Sequence, residues 1–426
     1  MCGENRFLGV GAVALNGLRL STRKAVEGNG PYPIHPTRAS LPWHISCSLV
    51  SMHFRSHARN SGGFLFGQFL PLSVLFIAFS CTAPAADKIA IKVIVLSGFE
   101  VGDDTGDAPG EFQYWAEREH LTGTLEVPGA PHPLRYNKEG LYASVAGNTR
   151  DHTLTTVPAS ELIMALVLDP QLDLSKTYWI INGISGIDPA HGSIGSAVWA
   201  EHVVDGDAMR EVGEAEMPAN WTYGLFAIGT SAPNTLPPKH ADAGGWGGAT
   251  LAYTMDYALN PGLTRWAFEL SKAKVSLPDS PALKAWRMQF TNYPKAQLPP
   301  QILMGDTLSS ARYWHGEKRT VWARDWVKLW TNGKGEFSTT AMEQAAYVGT
   351  LQRMAEKGLV DFKRVMMLRS ASNYCLPPAG QDFLKTIGDE SLGTAPAFEA
   401  AYRAGSVVVH ELLQNWKHYE SEIPTK

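Results

Sequence analysis

Short apolar runs that alternate with helix-period segments predict an α/β protein, with one central mixed β-sheet flanked by helices in a single domain. The strand-like runs are Ile89–Leu96, Leu141–Val145, Tyr178–Asn182, Ser196–Val203, Gln301–Met304 and Arg364–Leu368. Helical patterns lie between or after them at Val157–Asp169, Thr340–Lys357 and Ala395–Tyr419. No repeat or low-complexity linker follows Asp87, so 87–426 is expected to be one domain. With 44% apolar and 18% charged residues, a chain of this length can bury a large core.

The strand runs are apolar at consecutive positions, as strands buried on both faces are. Pro158 suits the first turn of the Val157–Asp169 helix. Gly358 stops the Thr340–Lys357 pattern, and Gly405 is expected to interrupt the last helix. Two Pro- and Gly-punctuated stretches, Ala232–Gly248 around Trp246 and Asp279–Pro300, read as long binding loops or lids.

The first 86 residues differ from the rest. Met1–Ser51 has no sustained period, and 1–51 is expected to be a non-native or disordered extension. In 52–86, basic residues Arg55 and Arg59 precede the apolar run Phe64–Phe79 and an Ala-rich exit at Ala86, the pattern of an export signal. The run is short and holds Gln68 and Pro71, so a retained anchor helix is the weaker alternative. The expected product is exported, periplasmic or extracellular, with no stable membrane span after cleavage. Of 37 Lys and Arg and 41 Asp and Glu, the first 86 residues hold 7 and 2; this leaves 30 against 39, a formal charge of −9. Such a balance argues against nucleic acid as a partner. Only Cys375 lies beyond the signal, so no internal disulfide is expected.

The chemistry gathers at strand exits. Lys92–Ser97 breaks at Gly98 into the acidic loop Phe99–Glu111 (FEVGDDTGDAPGE), which offers Glu100, Asp103, Asp104 and Asp107 without a base. A phosphate cradle would want amides and basic side chains. A solvated acidic turn accounts for the loop as well as a catalytic one does. After Tyr178–Ile181 comes NGISGIDP, where Gly183 and Gly186 permit close ligand approach and Ser185 adds a hydroxyl. It lacks the last glycine of a nucleophile elbow, because Ile187 stands there. Thr340 and Glu343 have the spacing of a capping box, yet Glu343 could equally accept from two ligand hydroxyls. Asn373 in RSASNY could pair with a heterocycle edge, or be a turn residue. Tyr313 and Trp314 could stack on a planar ring or simply pack in the core. The chain has no His-Glu-x-x-His, Cys-x-x-Cys, Walker loop or dinucleotide fingerprint, so neither metal nor cofactor is expected.

Taken in order, GFEVGDDTGDAPGEFQYW, NGISGIDP, GDTLSSARYWHGE, MEQAAYVGTL and RSASNY resemble the purine nucleoside permease family over Lys92 to Tyr419. That resemblance implies a nucleoside-phosphorylase-like fold related to nucleosidases, and a purine nucleoside as ligand. It implies that Met342 and Glu343 hold the ribose, that Asn373 contacts the N7 side of the purine, and that Ser185 and Gly186 lie beneath the base. Tyr313 and Trp314 would wall the purine. Glu100, assisted by Asp103 or Asp104, would activate water, and Arg150 is the nearby candidate for phosphate. The implied activity is hydrolysis of the N-glycosidic bond in support of nucleoside uptake, with a non-catalytic binding role or phosphorolysis as alternatives. An oligomer is left open.

Overall fold

The computed structural model describes residues 87–150, 156–237, 254–388 and 391–425. The expected extension and export signal lie outside these residues, as do 238–248 of the first predicted loop. Among the described residues the main sheet has twelve strands. Its functional centre is formed by β1 (Val93–Glu100), β2 (Leu141–Asn148), β3 (Tyr178–Ile187), β4 (Asp306–Ser309), β5 (Phe337–Ala341) and β6 (Val365–Tyr374). β2, β1, β3 and β6 lie side by side and parallel, so their carboxyl ends share one edge. β3 also pairs antiparallel with β5 at its far end, through Thr340 opposite Gly186. The sheet is mixed, as the sequence predicts.

Alternation on β1 sends Ile94 and Leu96 to one face and Val93 and Val95 to the other. The first face is covered by α2 (Thr156–Leu168) and α4 (Gln344–Glu356), through Leu162, Ile163, Val348 and Leu351. The second is covered by α1 (Gln113–Arg118) and α5 (Ser391–Gln414), through Trp115, Ala404, Val408 and Leu412. Burial on both faces explains why these strands carry unbroken apolar runs.

Several boundaries differ from the sequence expectations. Ser196–Val203 is two strands, Ala197–Ala200 and His202–Asp205. Thr340 and Ala341 end a strand, and helix α4 starts only at Gln344. The predicted loop Asp279–Pro300 contains a helix, α3 (Pro281–Arg287), whose start is capped by Ser280 accepting from the Leu283 amide at 3.1 Å. Arg287 is buried and returns to Asp279 through two bonds of 2.5 and 2.6 Å. The Ser-Pro pair is the local signal for this helix.

Gly405 does not interrupt α5, which runs through to Gln414. A Cβ on Gly405 would lie 2.8 and 2.9 Å from two Trp115 ring atoms, so the glycine is there to admit the indole. Helix propensity alone would make Gly405→Ala stabilising by ~1 kcal/mol. Overpacking costs ~1–3 kcal/mol, so Gly405→Ala is expected to lower stability by about 1 kcal/mol in urea denaturation. A gain would show that the Trp115 contact yields freely.

Candidate functional site

Among the described residues, a cavity of about 210 Å³ opens at the shared carboxyl edge. Its lining takes Phe99 and Glu111 from the loop after β1, Ser185 and Gly186 from β3, and Ser310–Trp314 from the segment after β4. It also takes Thr340–Glu343 from the β5–α4 junction and Ser372, Asn373 and Cys375 from the end of β6. The structure thus brings Ser185, Gly186, Tyr313, Trp314, Met342, Glu343 and Asn373 to one cavity.

One end of the cavity is a buried charge cluster. Glu111 Oε2 accepts from the Gly98 amide at 2.6 Å and the Phe99 amide at 3.2 Å, while Oε1 accepts from the Ile184 amide at 2.6 Å. Glu343 Oε1 accepts from Arg369 Nη2 at 2.7 Å. Arg369 is 1% exposed, and its Nε and Nη1 have no protein partner. The two carboxylates are close: a Cβ on Gly98 would lie 2.9 Å from Glu343 Oε1 and 3.1 Å from Glu111 Oε2. A Cβ on Gly183 would strike Arg369 Nη1 and Glu111. Both glycines are therefore needed for the charged groups to approach the sheet edge. Burial, reinforced by the Glu343 charge and opposed by Arg369 and two backbone amides, pushes the Glu111 carboxyl up to about 8.

Glu343 owes nothing to helix capping. It sits at the N-terminal boundary of α4 with no side-chain cap bond, and Ser309 Oγ accepts from the Ala345 amide instead, at 2.9 Å. Its carboxylate is left for Arg369 and the cavity.

The other end carries Asn373. A register shift between Ala371 and Asn373 brings Asn373 opposite Gly186, and both Ser372 and Asn373 line the cavity. The Asn373 amide Nδ2 donates to Tyr313 Oη at 3.2 Å. The aromatic pair divides: Tyr313 is exposed at the cavity, whereas Trp314 packs edge-on to Trp322 and beside Phe337. Cys375 lies beneath, its thiol pushed well up by burial.

The first-loop carboxylates are placed elsewhere. Glu100 is fully buried and accepts from the amides of Val101, Phe112 and Gln113, each at 2.7 Å, and from that of Gly110. It holds the loop closed and satisfies the start of α1, so all its lone pairs are committed and it does not line the cavity. Asp104 pairs with Arg135 at 3.1 Å. Asp103 pairs at 2.5 Å with Arg150, both 61% exposed, over a separate shallow hollow. None of Glu100, Asp103, Asp104 or Arg150 lines the cavity, which corrects the expectation that they share one site with the other named residues. Its charged end is formed instead by Glu111 and Glu343, with Arg369 paired to Glu343. Glu111 and Arg369 lie within motifs named above, but Glu111 sits in the loop after β1 and Arg369 inside β6, so no local pattern singled them out.

The family profile described as purine nucleoside permease (NUP) matches residues 90–424. A purine nucleoside permease of Candida albicans is 29% identical over 270 residues, which cover 62% of this chain and 64% of that protein. The chain thus spans less than two thirds of that relative's length. A 5′-methylthioadenosine/S-adenosylhomocysteine nucleosidase from Neisseria meningitidis, solved with methylthio-immucillin-A, covers 76% of this chain and 100% of its own at 13% identity and a TM-score of 0.43. Futalosine hydrolase of Helicobacter pylori covers 76% and 98% at 10% identity and 0.42. These two likenesses are partial and assign no activity. The match across residues 90–424 does assign the family: the chain belongs to the purine nucleoside permeases.

Proposed function

We propose that the cavity binds a purine nucleoside and hydrolyses its N-glycosidic bond. The observation that carries this reading is the buried cluster of Glu111, Arg369 and Glu343 at one end of a cavity whose other end presents Asn373. Arg369 stands behind the lining and fixes Glu343, while Glu111 and Glu343 face the cavity. A water beside an ionised Glu111 would meet a carboxylate able to take its proton. Glu343 suits neighbouring sugar hydroxyls, because an ionised carboxylate accepts from two donors at once. Negative charge here also stabilises the positive charge that develops on the ribosyl ring.

Phosphate fits this end poorly. The one guanidinium is already paired with Glu343, and Glu111 in either protonation state offers an incoming dianion no second cation. Hydrolysis is therefore favoured over phosphorolysis. Non-catalytic binding is a second reading, favoured by one observation: a Glu111 carboxyl raised to about 8 is mostly protonated at neutral pH and then a poor base. No helix among the described residues is long and apolar enough to cross a membrane. The Candida albicans relative is named a permease, and we propose that this chain serves nucleoside uptake as an exported binding or cleaving component.

Full-length protein given inosine or adenosine is expected to release free base equally with and without phosphate. Release only with phosphate would mean phosphorolysis, and saturable binding without release would mean a binder. The ionised form of Glu111 is the active one, so kcat/KM is expected to rise with pH to about 8 and then level. Glu111→Gln should remove that rise and cost at least ~10²-fold in kcat; an unchanged profile would assign the base elsewhere. N-terminal sequencing of the natural protein is expected to find a start near Asp87, and an intact Met1 would contradict export by this signal.

A further inference from the structure

Base departure requires a group that relieves negative charge on the leaving ring. At Asn373 the chain carries an amide, which has no proton to surrender. The bonds around that amide settle which way it faces. Its Oδ1 accepts from Ser372 Oγ at 3.0 Å, and its Nδ2 donates to the Tyr374 carbonyl at 3.3 Å and to Tyr313 Oη at 3.2 Å. A flipped amide would press Oδ1 against the Tyr374 carbonyl oxygen, so the network determines the assignment. Tyr313 is thus the acceptor toward Asn373, and its own O–H is directed away from that amide. Tyr313 lines the cavity and is 48% exposed, which lets its proton exchange with solvent.

The other ionisable groups of the lining are poorly suited to this task. Glu111 and Glu343 form the opposite end. Arg312 donates to Glu211 at 2.9 Å, and a guanidinium does not give up its proton. The Cys375 thiol is buried, and burial pushes it well up, so it surrenders its proton poorly.

Resting on the hydrolytic reading above, we propose that Tyr313 is a catalytic residue at the leaving group, its O–H passing a proton to the purine nitrogen on which charge collects while Asn373 holds Oη in place. The step balances. Glu111 takes one proton from water, and the water oxygen bonds to the anomeric carbon. The C–N bond breaks with its electron pair going to the base, which receives the Tyr313 proton. Glu111 then loses a proton to solvent, and Tyr313 regains one.

The test compares inosine with 7-methylguanosine, whose base already carries positive charge and departs without a proton. Full-length Tyr313→Phe is expected to lose ~10²-fold in kcat on inosine, to keep its calorimetric affinity for inosine, and to cleave 7-methylguanosine nearly as well as wild type. Removing one oxygen from an exposed ring leaves the packing intact. Equal losses on both substrates would reduce Tyr313 to a wall of the cavity, and no loss on inosine would remove it from the chemistry; either overturns the proposal. A wild-type protein that frees base from neither substrate is a distinct result: it ends the hydrolytic reading and this inference with it.

Discussion

Two carboxylates and one guanidinium buried together are the constraint on which the rest of the site depends. Leaving such charges unsolvated would cost several kcal/mol each. Glu111 is accommodated by three backbone amides drawn from two neighbouring strand ends, and Glu343 by Arg369. Those amides are available only because β1 and β3 are parallel neighbours that finish at one edge. The fold supplies the solvation that water no longer can. Beneath the cluster, Tyr347 closes the contact by donating its hydroxyl to the Ser97 carbonyl at 2.8 Å, so that helix α4, which begins beside Glu343, is tied to β1.

The two acidic ends of the first loop show how burial assigns different work to identical side chains. Glu100 and Glu111 flank the same turn. Glu100 spends its oxygens on four amides of the loop itself and is a structural staple. Glu111 reaches across to Ile184 and is left facing the cavity and a second carboxylate. Burial raises the protonation preference of both groups. Glu111 alone adds a like charge close by, Glu343, which pushes it further in the same direction.

Much of this was legible in the sequence, and the failures have identifiable causes. Unbroken apolar strands and their helices gave the α/β order, and strand exits gave Ser185, Gly186 and Asn373, because in such folds ligands gather where parallel strands end; Met342 and Glu343 came from the family resemblance. The choice between Glu100 and Glu111 was not legible. It depends on an amide at Ile184, far along the chain, and no local pattern reports it. Arg369 escaped notice because the sequence ends its apolar run at Leu368, beyond which an arginine ordinarily points to solvent; the strand in fact continues to Tyr374, and Glu343 holds the guanidinium inside. The capping-box spacing at Thr340 misled for a related reason: Ser309, from another strand, supplies the cap. Trp314 and Tyr313 could not be told apart by type, since their separation depends on where Trp322 and Phe337 lie.

Four consecutive residues of β3, Gly183 to Gly186, touch both ends of the cavity: Ile184 through its amide to Glu111, and Gly186 through its pairing with Asn373 and Thr340. A fluctuation that frayed this stretch would dissolve the charged pole and the amide pole together, because one strand segment supports both. The half-exposed rim is held differently: Arg312 pairs with Glu211 at 2.9 Å, and Tyr313 accepts from Asn373. The cavity therefore has a floor fixed by backbone pairing and a rim fixed by side chains.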